Sequence, residues 1–272
     1  MSAIKTKNVT SELNFIRPDT TLEPVVVYSG GAAPQSYNDA YKFIPVSIAD
    51  ARATGENYHV DKHGFQKEQL VTKHVDFDDV DATSDVYYKE VEQLVKDATG
   101  AAHVFVFDHT VRKGIPGSNR RPAHHVHNDY TNETGVSVAE DSIPPEVMAK
   151  MAGKRMIQIN VWKSINGTVY RSPLAFLDAS SVAYDDLVKT TIEFKNPDKI
   201  GEIFAVRHKS EQRWLYFPEI TDSEAILIKG YDTDLSGVAR FTPHTAFEYP
   251  DQDESAPARH SIEARTYAFY DD

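Results

Sequence analysis

From Met156 to Phe269 the sequence is a succession of short apolar runs, rich in β-branched and aromatic residues and separated by polar turns. Met156–Trp162 is a strong strand. Ile203–Val206 and Trp214–Phe217 read as a hairpin around the polar 208–212 turn. Ala225–Ile228, Ala239–Phe247 and Ser261–Phe269 continue the series. Strands this short need a second layer to cover their apolar faces. The first half carries the helices. Residues 84–100 predict one, with Ser84 as N-cap, Tyr87, Val91, Leu94, Val95 and Ala98 on one face, and Gly100 as the stop. A strand follows at Ala102–Phe107. Pro144 and Pro145 open a short helix through Met151, closed near Gly153, and 182–190 reads as another short helix. Residues 1–45, with Pro18, Pro24, Pro34 and one apolar run at Val25–Tyr28, read as an irregular extension packed on the rest. No repeat or linker divides the chain, so 1–272 is expected to be a single domain. Helices early and short strands late give a fold that is mainly β with flanking helices, a β-sandwich or double-stranded barrel.

Composition narrows the chemistry. The formal net charge of −12 argues against nucleic acid or an anionic membrane as a partner. With no cysteine, disulfides, zinc–thiolate sites and cysteine-ligated iron–sulfur clusters are excluded. Any metal must rely mainly on His, Asp or Glu. Neither an apolar leader at Met1–Lys5 nor an apolar run of membrane-spanning length is found, and the expectation is a cytoplasmic protein.

The sequence holds three His-x-Asp pairs: His59/Asp61, His74/Asp76 and His127/Asp129. In an extended strand, residues i and i+2 share a face, so such a pair can chelate one metal ion. The first lies in a polar loop and the second runs into an acidic stretch. Both read as structural. The third precedes most of the strand-rich half, where a jelly-roll metal site needs its first ligands. Its plainer reading is a polar pair at a strand end. A further histidine would complete a 2-His-1-carboxylate triad, which leaves positions open on Fe(II) as oxygenases require. His208 sits between Arg207 and Lys209, whose charges oppose a divalent cation. His244 lies in an apolar-flanked strand, where a buried imidazole needs partners, and is preferred. His124 and His125 are at most neighbours of the pair. In the last strand Arg259, Ser261, Glu263 and Arg265 alternate with His260, Ile262 and Ala264. If the Ile262 face packs on helices, the polar face lines the interior, where a buried arginine suits a carboxylate ligand. An internal ion pair of Glu263 with one arginine is the plainer account. Asn160 and Trp162 share a strand face. Asn160 could hydrogen-bond a cosubstrate, and Trp162 reads as core before substrate platform. Loops at 30–45, 113–123 and 131–143 could form a lid, with Tyr130 and Arg120 lining a substrate site.

Taken together, these stretches resemble a known family. They are Val71–Phe77, Phe107–Arg112, Pro122–Thr131, Asn160–Lys163, Ser172–Val182, Arg213–Pro218, Thr242–Phe247 and Ser261–Arg265, in this order over about residues 45–270. The chain resembles the fungal and bacterial hydroxylase/desaturase family that includes gibberellin desaturase-like and cephem-methoxylase-like oxygenases. The resemblance implies a double-stranded β-helix (jelly-roll) core and a dioxygenase using Fe(II), 2-oxoglutarate as cosubstrate and O2. It implies His127, Asp129 and His244 as iron ligands, and Arg259 with Ser261 on the distal carboxylate of 2-oxoglutarate. Arg265 is the alternative or a second contact. The family often has a histidine where this chain has Gln212. The expected reaction is hydroxylation, desaturation or oxidative rearrangement at an unactivated C–H bond of a small natural-product-like molecule, in secondary metabolism. Alternatives are a non-haem iron oxidase that does not use 2-oxoglutarate, a zinc or manganese enzyme of cupin type, and a non-catalytic jelly-roll subunit of an oxygenase. A homodimer is an ordinary expectation for such an enzyme.

Overall fold

The structure is a computed structural model and describes residues 8–19, 25–28, 40–74, 76–118, 120–195, 199–237 and 239–271. The chain runs through β1 (Val9–Ile16), β2 (Val25–Tyr28), β3 (Tyr41–Asp50) and β4 (Phe65–Gln69) into a helical segment. That segment is α1 (Val80–Ala82), a π-helical turn (Thr83–Tyr87) and α2 (Tyr88–Thr99). Then come β5 (His103–Lys113), β6 (His127–Asn128), α3 (Asn132–Ser142), α4 (Pro145–Met151), β7 (Met156–Ser164) and β8 (Leu174–Leu177). The chain closes with β9 (Leu187–Lys195), β10 (Lys199–Val206), β11 (Trp214–Tyr216), β12 (Glu224–Asp232), β13 (His244–Ala246) and β14 (His260–Phe269).

The strands form a nine-stranded sheet in the order β1-β3-β11-β8-β13-β6-β10-β9-β2 and a five-stranded sheet in the order β4-β12-β7-β14-β5. The two sheets face one another in a double-stranded β-helix. Phe65 of the smaller sheet stacks on Phe176 of the larger at 5.1 Å, within a cluster that includes Trp162, Leu215, Ile226 and Ile228. The opposite face of the smaller sheet is covered by the helical segment. Ile157, Ile159, Val161, Ile262 and Ala264 pack there against Tyr87, Val91 and Val95. Period two then sends Gln158, Asn160 and Trp162 of β7, and Ser261, Glu263 and Arg265 of β14, to the inner face. Pairing of Arg265 with Asn160, and of Glu263 with Trp162, puts these residues side by side. Among the described residues no helix is long and apolar enough to cross a membrane.

Several local expectations are corrected. The helical segment starts at Val80, not Ser84. Asp79 is the N-cap, accepting from the Ala82 N–H, while Ser84 donates its hydroxyl back to the Asp81 carbonyl. Its end agrees with expectation, with Gly100 at φ 74° donating to the Lys96 carbonyl. The 203–217 hairpin is not formed. β10 and β11 lie in one sheet with β6, β13 and β8 between them. The turn-like 208–212 stretch is instead a crossover, and the His208 ring packs on Phe15 at 5.1 Å. In 182–190 only Tyr184–Asp186 is helical. From Leu187 the β-branched Val188, Thr190, Thr191 and Ile192 favour the extended β9. Among the described N-terminal residues, Val9–Ile16, Val25–Tyr28 and the start of β3 are strand where an irregular extension was expected. β1 pairs antiparallel with β3, burying Leu13 and Phe15, and β2 pairs parallel with β9. Of the expected lid loops, 30–39 lie outside the described residues. Residues 132–142 are the helix α3, capped by Thr131 and seated through Gly135 on the Tyr231 ring.

Gly64 pins this frame. It sits at φ +86°, its carbonyl accepts from the Thr242 hydroxyl, and a Cβ would lie 2.1 Å from Thr242 Oγ1. Gly64→Ala is therefore expected to cost about 2–4 kcal/mol, from left-handed strain plus overpacking. Gly55→Ala, at φ +71° with open space around it, should cost only the strain of about 1–2 kcal/mol. Urea denaturation of both variants checks this, and equal losses would refute the packing argument.

Candidate metal centre

β6 and β13 are neighbours in the larger sheet, and His127 is directly opposite His244. Their rings lie 4.7 Å apart. Asp129 follows β6, with Oδ1 3.3 Å from His127 Nε2. One ligand atom from each of His127, Asp129 and His244 lies within 4.8 Å of the others, an arrangement that could hold one metal ion. Both imidazoles are oriented by backbone. His127 Nδ1–H donates to the His125 carbonyl at 2.8 Å, and His244 Nδ1–H to the Thr242 carbonyl at 3.0 Å. Each Nε2 lone pair is thereby left for a metal. The His125 ring stacks on His127 at 4.3 Å.

The carboxylate is held by a relay that the sequence did not reveal. Asn160 Nδ2 donates to Asp129 Oδ2 at 2.5 Å, and Gln158 Nε2 donates to Asn160 Oδ1 at 2.6 Å. Oδ1 is left facing the histidines. Asn160 thus contacts a candidate metal ligand, where a cosubstrate contact was expected. Burial opposes charge on His127, but Asp129 outweighs it and raises the imidazole pKa above its ordinary 6.5. The His127 partner likewise overcomes burial at Asp129 and holds that carboxyl well below the usual range. Burial, then the His127 charge, pushes His244 down to about 4.

A cavity opens onto the three ligands, lined also by Arg112, Trp162, Arg259 and Glu263. Arg259 is 3% exposed and holds no carboxylate among the described residues. One Nη1–H donates to the Ser172 carbonyl, its guanidinium carbon stands 5.4 Å from the Trp162 ring, and Nε–H has no partner among the described residues. Desolvation, then Arg112, pushes its pKa down to about 9. The Ser261 hydroxyl is also buried without a partner among the described residues. A buried cation and a buried hydroxyl on one strand face fit a carboxylate.

A profile of the oxidoreductase/YMDC permease-like domain family matches residues 13–269. The chain belongs to this family of oxidoreductases. It is 30% identical to the hydroxylase/desaturase efuI of Hormonema carpetanum, covering 100% of this chain and 98% of that protein. It is 28% identical to the Fe(II)/2-oxoglutarate-dependent dioxygenase nvfI of Aspergillus novofumigatus, covering 95% and 96%. The solved structure of the iron and alpha-ketoglutarate-dependent endoperoxidase NvfI, in a different conformation, superposes with a TM-score of 0.83. The identity is 26%, with 97% of this chain and 98% of that one covered.

The remaining expected residues of this oxidoreductase fall in three places. Arg265 is on the inner face but committed, with Nε and Nη2 donating to the two Asp108 carboxylate oxygens at 2.5 and 2.6 Å. The expected internal ion pair exists, but with Asp108 in place of Glu263. Trp162 lines the cavity under Arg259. Tyr130 is buried in an apolar cluster with Phe204, Tyr231 and Tyr267, away from the cavity lining, and Arg120 is exposed on the loop after β5. The other His-x-Asp pairs are structural, as expected. Asp61 accepts from Lys229 and Arg155, and His74 bonds the Asp76 carbonyl and Thr83. Arg112 was missed as a cavity residue. Its signal was the alternation Asp108, Thr110, Arg112, which pairs residue by residue with Arg265, Glu263 and Ser261.

Two outcomes follow for the centre. A metal must displace the proton from His127, whereas Asp129 is already ionised and His244 already neutral near neutral pH. Co(II) affinity, read by its visible spectrum, should fall about tenfold per pH unit below the raised His127 pKa, with about one proton released per ion. A pH-independent affinity between pH 5 and 7, roughly the histidine range, would contradict this. Asn160→Ala should weaken Co(II) binding about 10- to 100-fold by freeing Asp129 to rotate. Unchanged affinity would show that the relay does not position the carboxylate.

Proposed function

We propose that this chain is an Fe(II)- and 2-oxoglutarate-dependent dioxygenase that oxidises an unactivated C–H bond of a small natural-product-like molecule in secondary metabolism. The observation that carries the reading is the buried, carboxylate-free Arg259 beside the His127–Asp129–His244 cluster. A metal centre alone does not explain a guanidinium shut away from water, whereas a keto acid that also reaches the metal explains both. His127, Asp129 and His244 would hold Fe(II). Arg259 and Ser261 would bind the distal carboxylate of 2-oxoglutarate. When bound, iron with 2-oxoglutarate and O2 supplies the oxidising power for the C–H bond, with the keto acid decarboxylated to succinate.

The chain's own residues position and shield. The Gln158–Asn160 relay keeps Asp129 Oδ1 turned toward the histidines. Trp162 packs its ring against the guanidinium and shields the carboxylate seat from water. Leu174, Ala123 and Ala246 give the cavity an apolar side for a hydrocarbon body. The hydroxylase/desaturase and endoperoxidase names of the relatives belong to those proteins. For this chain the outcome at the carbon is set by how the cavity presents the target bond.

Anaerobic Fe(II) plus 2-oxoglutarate should give the weak visible charge-transfer band of a keto acid chelated to iron. Arg259→Ala should raise the 2-oxoglutarate concentration needed for the band roughly 10- to 100-fold, the loss of a charge-assisted hydrogen bond. Arg265→Ala, whose guanidinium is held by Asp108, should change it little. Tight iron binding with no band would favour an iron oxidase that does not use 2-oxoglutarate. An unaltered titration in Arg259→Ala would remove the carboxylate seat from this position.

A further inference from the structure

The cavity holds a second cation that the proposed function does not use. Arg112 is on β5, the edge strand of the smaller sheet, paired with Ser261 so that both face inward. It lines the cavity, yet its one hydrogen bond among the described residues runs from Nη1 to the Arg121 carbonyl at 3.1 Å. Arg120, exposed on the adjoining loop, is held beside it, its carbonyl accepting from the Lys113 N–H at 3.0 Å.

Acidic residues outnumber basic ones by 41 to 29, so carboxylates are available to pair with arginines. The partly buried Arg52, Arg155 and Arg265 each hold one: Glu224, Asp232 and Asp108 respectively. The partly buried Arg207 and Arg240 also bond backbone or amide oxygens and no carboxylate among the described residues, but neither lines the cavity as Arg112 does. Arg112 has Glu263 in the same cavity but forms no ion pair with it among the described residues. With iron and 2-oxoglutarate in place, the negative charge of the keto acid falls on the metal and on Arg259. Arg265 is already cancelled by Asp108. Arg112 and Arg120 are left as positive charge without an ion pair among the described residues, at the β5 edge of the cavity. A cation in such a place is a recognition element for an anion.

We infer that the primary substrate carries a carboxylate, received by Arg112 with Arg120 at the β5 edge of the cavity while its apolar body lies along the Leu174 and Ala246 side. This rests on the proposed function, because it takes Arg259 as engaged by 2-oxoglutarate. Arg112 and Arg120 are then specificity residues, distinct from the metal ligands and from the cosubstrate seat. The geometry separates the two seats. Arg259 is fixed over Trp162 by the Ser172 carbonyl, whereas Arg112 enters from the edge strand beside a loop that carries Arg120.

The test uses the full chain as its anaerobic Fe(II)–2-oxoglutarate complex. The probes are an aryl, a fatty, a steroidal and a tricyclic diterpenoid monocarboxylic acid, each with its methyl ester, and affinity is read by calorimetry. At least one acid should bind about tenfold or more tightly than its ester, which matches a charge-assisted contact. Arg112→Gln should abolish that preference and Arg120→Gln reduce it, with 2-oxoglutarate affinity unchanged in both. Arg120 is exposed, so its substitution is a control against misfolding. Equal binding of acid and ester in every pair, or no binding by any acid, would overturn the inference. So would a preference that survives Arg112→Gln, or a loss of 2-oxoglutarate affinity in that variant, which would make Arg112 a cosubstrate residue. The visible band is recorded first. Its absence overturns this inference together with the proposed function, whereas a normal band without acid preference overturns this inference alone.

Discussion

The pairing of two very short strands carries the centre. β6 and β13 meet with His127 opposite His244, so the spacing of the two imidazoles is set by the inter-strand distance of about 4.8 Å and not by flexible side chains. Strands of two and three residues cannot hold such a register alone. Asn128, the residue between His127 and Asp129, supplies the missing constraint. Its amide donates to the Tyr130 and Gly230 carbonyls, and its oxygen accepts the Thr242 N–H. One fully buried side chain thus ties the ends of β6, β12 and β13 together. The Thr242 hydroxyl extends the tie to Gly64. Each further feature of the site depends on this junction staying closed.

Against that frame the smaller sheet contributes chemistry by alternation. Its inner face and the residue leading into β14 present three arginines that differ in what they already hold. Arg265 is saturated by Asp108, Arg259 has a backbone carbonyl and a ring but no anion, and Arg112 has a backbone carbonyl alone. In a low-dielectric cavity, this difference in partnering decides which cation is structural and which is free to recognise a ligand. The same logic applies to the carboxylates. Asp129 is oriented by Asn160 and shares charge with His127, whereas burial and the Asp129 charge push the Glu263 carboxyl above its ordinary pKa.

Much of this was legible in the sequence because period two is a local property. The faces of the last strand, the Gly100 stop and the choice of His244 over His208 all follow from neighbours within a few residues. Topology was less legible. Nothing near Ile203–Val206 or Trp214–Phe217 states that three strands from elsewhere lie between them, since a crossover and a hairpin use the same polar residues. Val9–Ile16 alternates poorly enough to pass for a surface segment until β3 is seen beside it. Asn160 shows the limit at the site. Its inward direction was readable, but its partner is 31 residues away along the chain, and whether it meets a cosubstrate or Asp129 depends on packing alone.

The alternation along β7 and β14 joins two tasks in one register. Ile157, Ile159, Val161, Ile262 and Ala264 form the bearing on which the helical segment rests, and the residues between them face the cavity. A slip of one residue would exchange the faces entirely. The outer set is therefore held fast by the fold, while each inner position can change its chemistry without disturbing what the helix sits on. Such a division gives the architecture a fixed chassis and an exchangeable interior. It lets one scaffold diversify at the inner positions that do not support Asp129, while Asn160 and Gln158 stay tied to the centre.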